Sequence, residues 1–126
     1  MRGIPIHFNS FAHPNMRTIT SLVLAIPFIA TAQTTHSVEV GGSTLGPTPP
    51  YYSPDLLTIQ VGDSVRWTNV SGTHNVDGSE FFFPGNPEPF SSGETDNGDW
   101  TYTFGFTIPG TYNYHCDGDG HAATQT

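Results

Sequence analysis

The chain has 126 residues, eleven acidic side chains against three basic ones, and a formal net charge of −8. A surface of that sign repels nucleic acid and anionic lipid, so the composition excludes both as expected partners. The sequence holds one cysteine, which excludes a disulfide within the chain.

Residues 1–32 predict an export signal. Met16–Thr20 is short and basic, and Ser21–Ala30 is apolar. Ala30 and Ala32 are small residues at the two positions that determine cleavage. This three-part layout is typical of a signal peptide cleaved after Ala32, so we expect a secreted protein, periplasmic or extracellular.

A membrane anchor is the alternative for the same segment. The apolar run is too short to span a bilayer comfortably, and it contains Pro27. Residues 1–15 follow no targeting pattern, as expected if the true start is Met16.

The remaining residues, Gln33–Thr126, are enough for one small domain. They carry all eleven acidic residues and one base, Arg66, hence a net charge of −10. Such a surface suits a cationic partner, and it equally suits solubility alone. We expect this domain to be a monomer without a membrane span.

The first half of the domain predicts short strands. Ser37–Val40 alternates apolar and polar residues and ends at two glycines. Leu57–Val61 and Val65–Trp67 alternate in the same way around a turn at Gly62 and Asp63. Two alternating runs joined by a glycine turn predict a hairpin.

The second half continues the pattern. Glu80–Asn97 is irregular, and its Phe81–Phe83 run is expected to plug the core. Tyr102–Ile108 alternates again, and a final strand follows over Tyr112–Cys116. With no amphipathic helix of useful length, the domain is predicted to be an antiparallel sandwich or barrel.

The final strand predicts where the cysteine points. Tyr112, Tyr114 and Cys116 share one face of a strand, and the aromatic pair marks it as the buried face. The thiol therefore faces the core. His115 points the other way, and we expect it to be exposed. His121 can return towards the thiol, because the intervening link contains two glycines.

His74, Cys116 and His121 form a candidate metal-ligand set. Two imidazoles and one thiolate are the equatorial ligands of blue-copper electron-transfer sites. Zinc also accepts nitrogen and sulfur ligands. A buried cysteine is also often an inert hydrophobic residue. A catalytic cysteine is not expected, because Cys116 ends a strand in an acidic chain with no oxyanion-hole candidate.

Two longer motifs carry a family resemblance. Val61–Asn69 reads VGDSVRWTN and Pro109–Cys116 reads PGTYNYHC. Together with the surrounding residues 53–60, 73–76 and 102–108 they resemble cupredoxins of the small secreted plastocyanin and azurin type. The resemblance covers most of the domain in the family's order.

The resemblance implies an all-β fold, a Greek-key β-sandwich with one type 1 copper ion at one end. It implies His74, Cys116 and His121 as equatorial ligands. It also implies that Asn75 joins the first ligand loop to the cysteine loop through hydrogen bonds.

The end of the sequence departs from the common family pattern. His121 follows Cys116 by five residues, a spacing closer to azurin, and no methionine follows it. Gln125 stands at the axial position, as glutamine does in stellacyanins, where it stabilises Cu(II). The sequence stops at Thr126, so the closing strand is expected to be missing. The alternative is a truncated end with Gln125 not ligated.

The expected function is to carry single electrons between redox partners, through the edge of His121, with His115 as a second route. The alternative is a copper carrier of the same fold without redox turnover, or a metal-free binding domain. An enzyme is not expected, because copper oxidases and nitrite reductases need further histidine clusters.

Overall fold

The structure is a computed structural model that describes Ala25, Pro27 and residues 30–118. The chain divides into units Met1–Ala30 and Thr31–Thr126, and the architecture below is that of the second. The predicted export signal lies almost entirely outside the described residues. The proposed start at Met16 and the C-terminal residues, after which a closing strand is expected to be missing, also lie outside them. Across the described part of the chain, no helix has the length and apolar character needed to cross a membrane.

Four strands form the main sheet, in the order β2-β1-β3-β6. They are β1 (Thr35–Gly41), β2 (Tyr51–Ser53), β3 (Ser64–Asn69) and β6 (Thr101–Gly105). β1 runs parallel to β3, while β2 and β6 run antiparallel to their neighbours. The sheet is therefore mixed, unlike the purely antiparallel arrangement expected from the sequence.

A second, smaller sheet pairs β4 (Asp77–Gly78) with β5 (Phe90–Ser91). An isolated bridge joins Asp77 to His115 beside it. Every regular element between residues 30 and 118 is a strand, which confirms the all-β prediction.

The prediction of a hairpin between Leu57–Val61 and Val65–Trp67 is wrong. β3 has β1 on one side and β6 on the other, so neither of its edges can accept Leu57–Val61. Residues 56–60 lie outside any strand. The turn itself forms, with Gly62 at a φ of +97°, a conformation that glycine adopts without steric cost.

The core lies under the alternating faces of β1 and β3. Val38 and Val40 point inward from β1, and Val65 and Trp67 from β3, all almost fully buried. Burying a side chain of this size contributes about 1.5–3 kcal/mol. The sequence alternation predicted these positions correctly.

Phe90 lies at the centre of an aromatic cluster in this core. Its ring centroid is 5.8 Å from that of Trp67, 5.1 Å from Phe104 and 6.0 Å from Tyr114. Tyr112 also packs on it, at 6.1 Å. Both tyrosines of the final segment therefore face the core, as their alternation predicts. That segment forms only isolated bridges rather than a regular strand.

Asp63 links three segments of the chain through hydrogen bonds. Its carboxylate accepts a hydrogen bond from the backbone N–H of Thr34 (2.9 Å) and contacts His36 Nε2 at 2.8 Å. Its backbone carbonyl accepts from the N–H of Phe106 at 2.8 Å. The start of β1, the turn before β3 and the chain after β6 therefore meet at one aspartate.

Candidate metal centre

The loop that carries His74 is fixed by backbone pairing at both ends. Val70 donates to the carbonyl of Val40, and His74 exchanges two backbone hydrogen bonds with Asp96, of 3.1 and 3.0 Å. The side chain of Asn69 donates to the carbonyl of Gly72 at 3.2 Å. The imidazole therefore projects from a loop whose backbone groups are largely satisfied.

The His74 ring is 1% exposed and held in one orientation. Its Nε2 lies 2.9 Å from the carbonyl oxygen of Gly42. A carbonyl can only accept, so Nε2 carries a hydrogen, and in the neutral ring Nδ1 is then the nitrogen with the lone pair. In metal-binding histidines, the ring nitrogen that does not bind the metal commonly donates a hydrogen bond of this kind, which fixes the tautomer.

Gly72 is required for that contact. A Cβ at this position would clash with the Gly42 carbonyl and lie 2.5 Å from His74 Nε2. Gly72 also has a φ of +82°, which favours glycine. The close approach of the ring to Gly42 therefore depends on a residue without a side chain.

Cys116 meets the other nitrogen of the same ring. Its Sγ lies 3.8 Å from His74 Nδ1, and the cysteine is 4% exposed. Burial raises the pKa of the Cys116 thiol above its ordinary value. The group is protonated near neutral pH without a metal, which does not suit a nucleophilic cysteine. A metal ion would displace this proton.

The separation of the two atoms fits shared coordination. Metal–thiolate and metal–imidazole bonds of about 2.3 and 2.0 Å, at about 120° to each other, place sulfur and nitrogen about 3.7 Å apart. The observed 3.8 Å agrees with that value. The structure therefore brings together His74 Nδ1 and Cys116 Sγ, two atoms of the predicted ligand set.

Asn75 connects the loop of His74 to the segment of Cys116. Its Oδ1 accepts from the backbone N–H of Asp117 at 3.1 Å, and its Nδ2 donates to the carbonyl of Gly93 at 2.8 Å. Its own carbonyl accepts from the hydroxyl of Tyr52 at 2.7 Å. Burial raises the pKa of Tyr52, so the hydroxyl remains a donor. The residue after Cys116 and the residue after His74 are thus held together directly.

His115 is not the exposed strand histidine that alternation predicts. Its ring lies 4.4 Å from that of Phe82 and 5.2 Å from that of Phe83, centroid to centroid. Its Nε2 is buried and has no hydrogen-bond partner among the described residues. Two phenylalanines cover the face that the strand pattern assigns to solvent.

The phenylalanine run is likewise not a plug on the core. Phe81 is 86% exposed and Phe82 is 45% exposed. The two rings pack edge to face at 4.9 Å, with Phe82 over His115. The run forms an exposed aromatic patch next to the cysteine segment.

Two proposed ligands, His121 and Gln125, lie outside the described residues. Within residues 30–118, no group of three or more histidine, cysteine, aspartate or glutamate side chains could hold a metal. The described site therefore consists of His74, Cys116 and the Asn75 clamp.

Sequence reasoning did not find Gly42 and Gly72. Both stand in ordinary turn sequences, and nothing nearby indicates that a carbonyl meets an imidazole 32 residues away. No protein-family model matches the chain.

Proposed function

We propose that this chain is a secreted cupredoxin-like domain that binds one type 1 copper ion and carries single electrons between redox partners. The observation that carries the proposal is the contact of His74 Nδ1 with Cys116 Sγ, in a ring whose Nε2 is held by Gly42. His121 and Gln125 would hold the ion together with His74 and Cys116. Copper bound to thiolate and imidazole supplies reversible one-electron chemistry.

The chain's own residues hold the donors in place and exclude water. Gly42 fixes the ring of His74, and Asn75 fixes the backbone beyond Cys116. Both donors are less than 5% exposed. A site with little freedom changes little between oxidation states, which favours fast electron exchange. The two-sheet, all-β architecture supports a Greek-key β-sandwich around it.

Electrons have two candidate routes. His121 is flanked by Gly120, Ala122 and Ala123, and small residues let a partner approach closely. The second route runs from Cys116 through its covalent neighbour His115 to Phe82, whose ring is partly exposed. The net charge of −10 favours a cationic partner at either surface.

Zinc binding without redox turnover is the second candidate. The same Nδ1 and Sγ donors suit tetrahedral zinc, and the contact distance fits both metals. A metal carrier of this fold would use the same residues without electron exchange.

The visible spectrum of the copper-loaded protein separates the two candidates. Copper(II) should give an intense blue or green thiolate charge-transfer band, and Cys116→Ser should abolish it. Ser92→Ala, outside the donor set, is the control and should keep the colour. A colourless one-to-one copper complex would refute the type 1 site.

A salt series tests the routes. Exchange with a basic redox protein should slow as ionic strength rises, because screening weakens long-range attraction. If His121 is the exit, Ala122→Asp slows exchange at every salt concentration and Phe82→Ser does not. The reverse result assigns the exit to His115 and Phe82.

A further inference from the structure

The tripeptide Asn69-Val70-Ser71 matches the acceptor sequence for N-linked glycosylation, which is typical of an exposed loop in a secreted protein. The structure instead buries Asn69, which is 4% exposed at the end of β3. Its Nδ2 donates to the carbonyls of Gly72 and Gly98, at 3.2 and 2.9 Å. Both hydrogens of the amide are therefore engaged, and the folded chain does not offer this nitrogen to a glycan.

The next two residues of the motif contact the end of β1. Ser71 Oγ accepts a hydrogen bond from the backbone N–H of Gly42 at 3.0 Å. One position earlier, the N–H of Val70 donates to the carbonyl of Val40 at 2.9 Å. The motif therefore continues the pairing of β3 with β1 past the last residue of β3.

Gly42 is the residue through which this pairing reaches the imidazole. Its N–H is held by Ser71 Oγ, and its carbonyl oxygen lies 2.9 Å from His74 Nε2. Its φ is +83°. Glycine has many accessible backbone conformations, so hydrogen bonds help to select this one. Ser71 is thus two hydrogen bonds away from the ring nitrogen of His74.

The hydroxyl of Ser71 fits at this place because the end of β1 carries no side chains. A Cβ on Gly41 would lie 3.0 Å from Ser71 Oγ and 2.7 Å from the hydroxyl oxygen of Tyr51. A Cβ on Gly42 would clash with the carbonyl of Pro49. Two consecutive glycines therefore let the loop of His74 approach the end of the strand.

We propose that Ser71 is a positioning residue for His74. Its hydroxyl holds the N–H of Gly42, the carbonyl of Gly42 holds Nε2, and the ring then presents Nδ1 to Cys116 Sγ at 3.8 Å. The glycosylation motif is thus used for positioning rather than for a glycan. Only the effect on copper rests on the proposed function, since the orientation of the ring can be measured without metal.

Two substitutions of similar size separate the hydroxyl from the bulk of the side chain. Ser71→Thr keeps the acceptor oxygen, Ser71→Val replaces it with a methyl group, and the position is exposed enough to accept both. Heteronuclear NMR of the metal-free full chain measures how fast the Nε2 hydrogen of His74 exchanges with water. The valine variant should exchange about three- to tenfold faster than the native chain, as expected for one lost hydrogen bond, and the threonine variant should match the native chain.

Ser91→Ala is the matched control. Ser91 is also exposed, and its Oγ also accepts one backbone N–H, that of Gly93, at 3.0 Å. This substitution removes the same kind of hydrogen bond from β5 instead of from the loop of His74. Exchange of the His74 Nε2 hydrogen should therefore remain at the native rate.

Copper binding connects the position of the ring with the proposed site. If copper binds as proposed, Ser71→Val should lower its affinity by about threefold or more relative to Ser71→Thr, in competition with a chelator. A ring that responds in the NMR experiment, while no variant gives a thiolate–copper band, would support the positioning role and refute the copper site alone.

Three results would overturn the proposal. Equal exchange rates in the threonine and valine variants would mean that the hydroxyl does not act on the ring. A response of Ser91→Ala as large as that of Ser71→Val would indicate general loosening of the fold. The third result is a glycan on Asn69 of the folded protein, detected by mass spectrometry after secretion from a glycosylating host cell, where we expect none.

Discussion

The surroundings of His74 and the aromatic floor of the core, formed by Trp67, Phe90 and Phe106, are built in opposite ways. Around His74, polar groups have specific hydrogen-bond partners. The imidazole contacts the Gly42 carbonyl, and the Asn75 side chain contacts both Gly93 and Asp117. In the aromatic floor, rings pack on rings without directional polar contacts between them. One region is determined by directional polar contacts, the other by apolar area.

The difference has a physical consequence for each region. Hydrogen bonds fix positions to fractions of an ångström, which the proposed metal site would require. Apolar packing stabilises in proportion to the buried area and does not fix direction. Substitutions in the two regions should therefore have different signatures.

The largest effect is expected at the aromatic floor. Phe90→Ala removes the ring that contacts Trp67, Phe104 and Tyr114 and should lower the free energy of unfolding by about 3–5 kcal/mol. Urea denaturation measures the loss. Phe81→Ala removes an exposed ring and should change it by less than about 0.5 kcal/mol. Equal losses would mean that the floor is not the centre of the core.

Asn75→Ala should lower the free energy of unfolding less than Phe90→Ala does, but it should also weaken metal binding. It removes the hydrogen bonds to the Gly93 carbonyl and the Asp117 amide, at about 0.5–1.5 kcal/mol for each bond. If copper binds as proposed, its affinity should fall about 10–100-fold, because the clamp orients the ligand segments. Competition with a chelator measures it, with the exposed Asn97→Ala as control. Unchanged affinity together with lower stability would limit Asn75 to a structural role.

Gly72→Ala tests how far the imidazole depends on its loop. The added methyl group meets the Gly42 carbonyl and His74, at a positive φ, so unfolding should become easier by about 1–3 kcal/mol. Gly85→Ala is the matched control, since a Cβ there meets nothing within 4 Å. The histidine NMR spectrum should change for the first variant alone. A stable Gly72→Ala with the native spectrum would mean that the loop moves freely.

The smallest effect is expected at Asp63, and it depends on pH. The hydrogen bond from His36 and that from the Thr34 amide hold the pKa of Asp63 below its usual range. The ionised carboxylate therefore stabilises the fold above about pH 4, and this stability is lost as the pH falls through the lowered pKa. Asp63→Asn should be less stable than the native chain at pH 7, and the difference should shrink in acid. A difference independent of pH would exclude the charge as its cause.

The sequence predicted the elements whose side-chain pattern is local. The inward faces of Val38, Val40 and Trp67, and the burial of Cys116, follow from alternation because one face of each segment is apolar. The aromatic pair Tyr112 and Tyr114 was placed on the core for the same reason. These positions could be predicted without knowing which residues they contact.

The sequence could not predict pairings set by distant residues. Leu57–Val61 alternates like a strand, but β3 is already paired on both edges by segments far along the chain. His115 faces away from the thiol by its pattern, yet Phe82 and Phe83 reach it from a loop more than thirty residues earlier. The contact between Gly42 and His74 also joins residues 32 positions apart.

The deep position of Cys116 also bears on the chemical lifetime of the molecule. Disulfide exchange and alkylation require a thiolate that a reagent can reach. Burial keeps this sulfur both protonated and covered. Two copies meeting in an oxidising environment would therefore be slow to become covalently joined, and air oxidation to sulfenic acid would be slow as well. The folded chain can keep a single cysteine reduced without a second one to protect it.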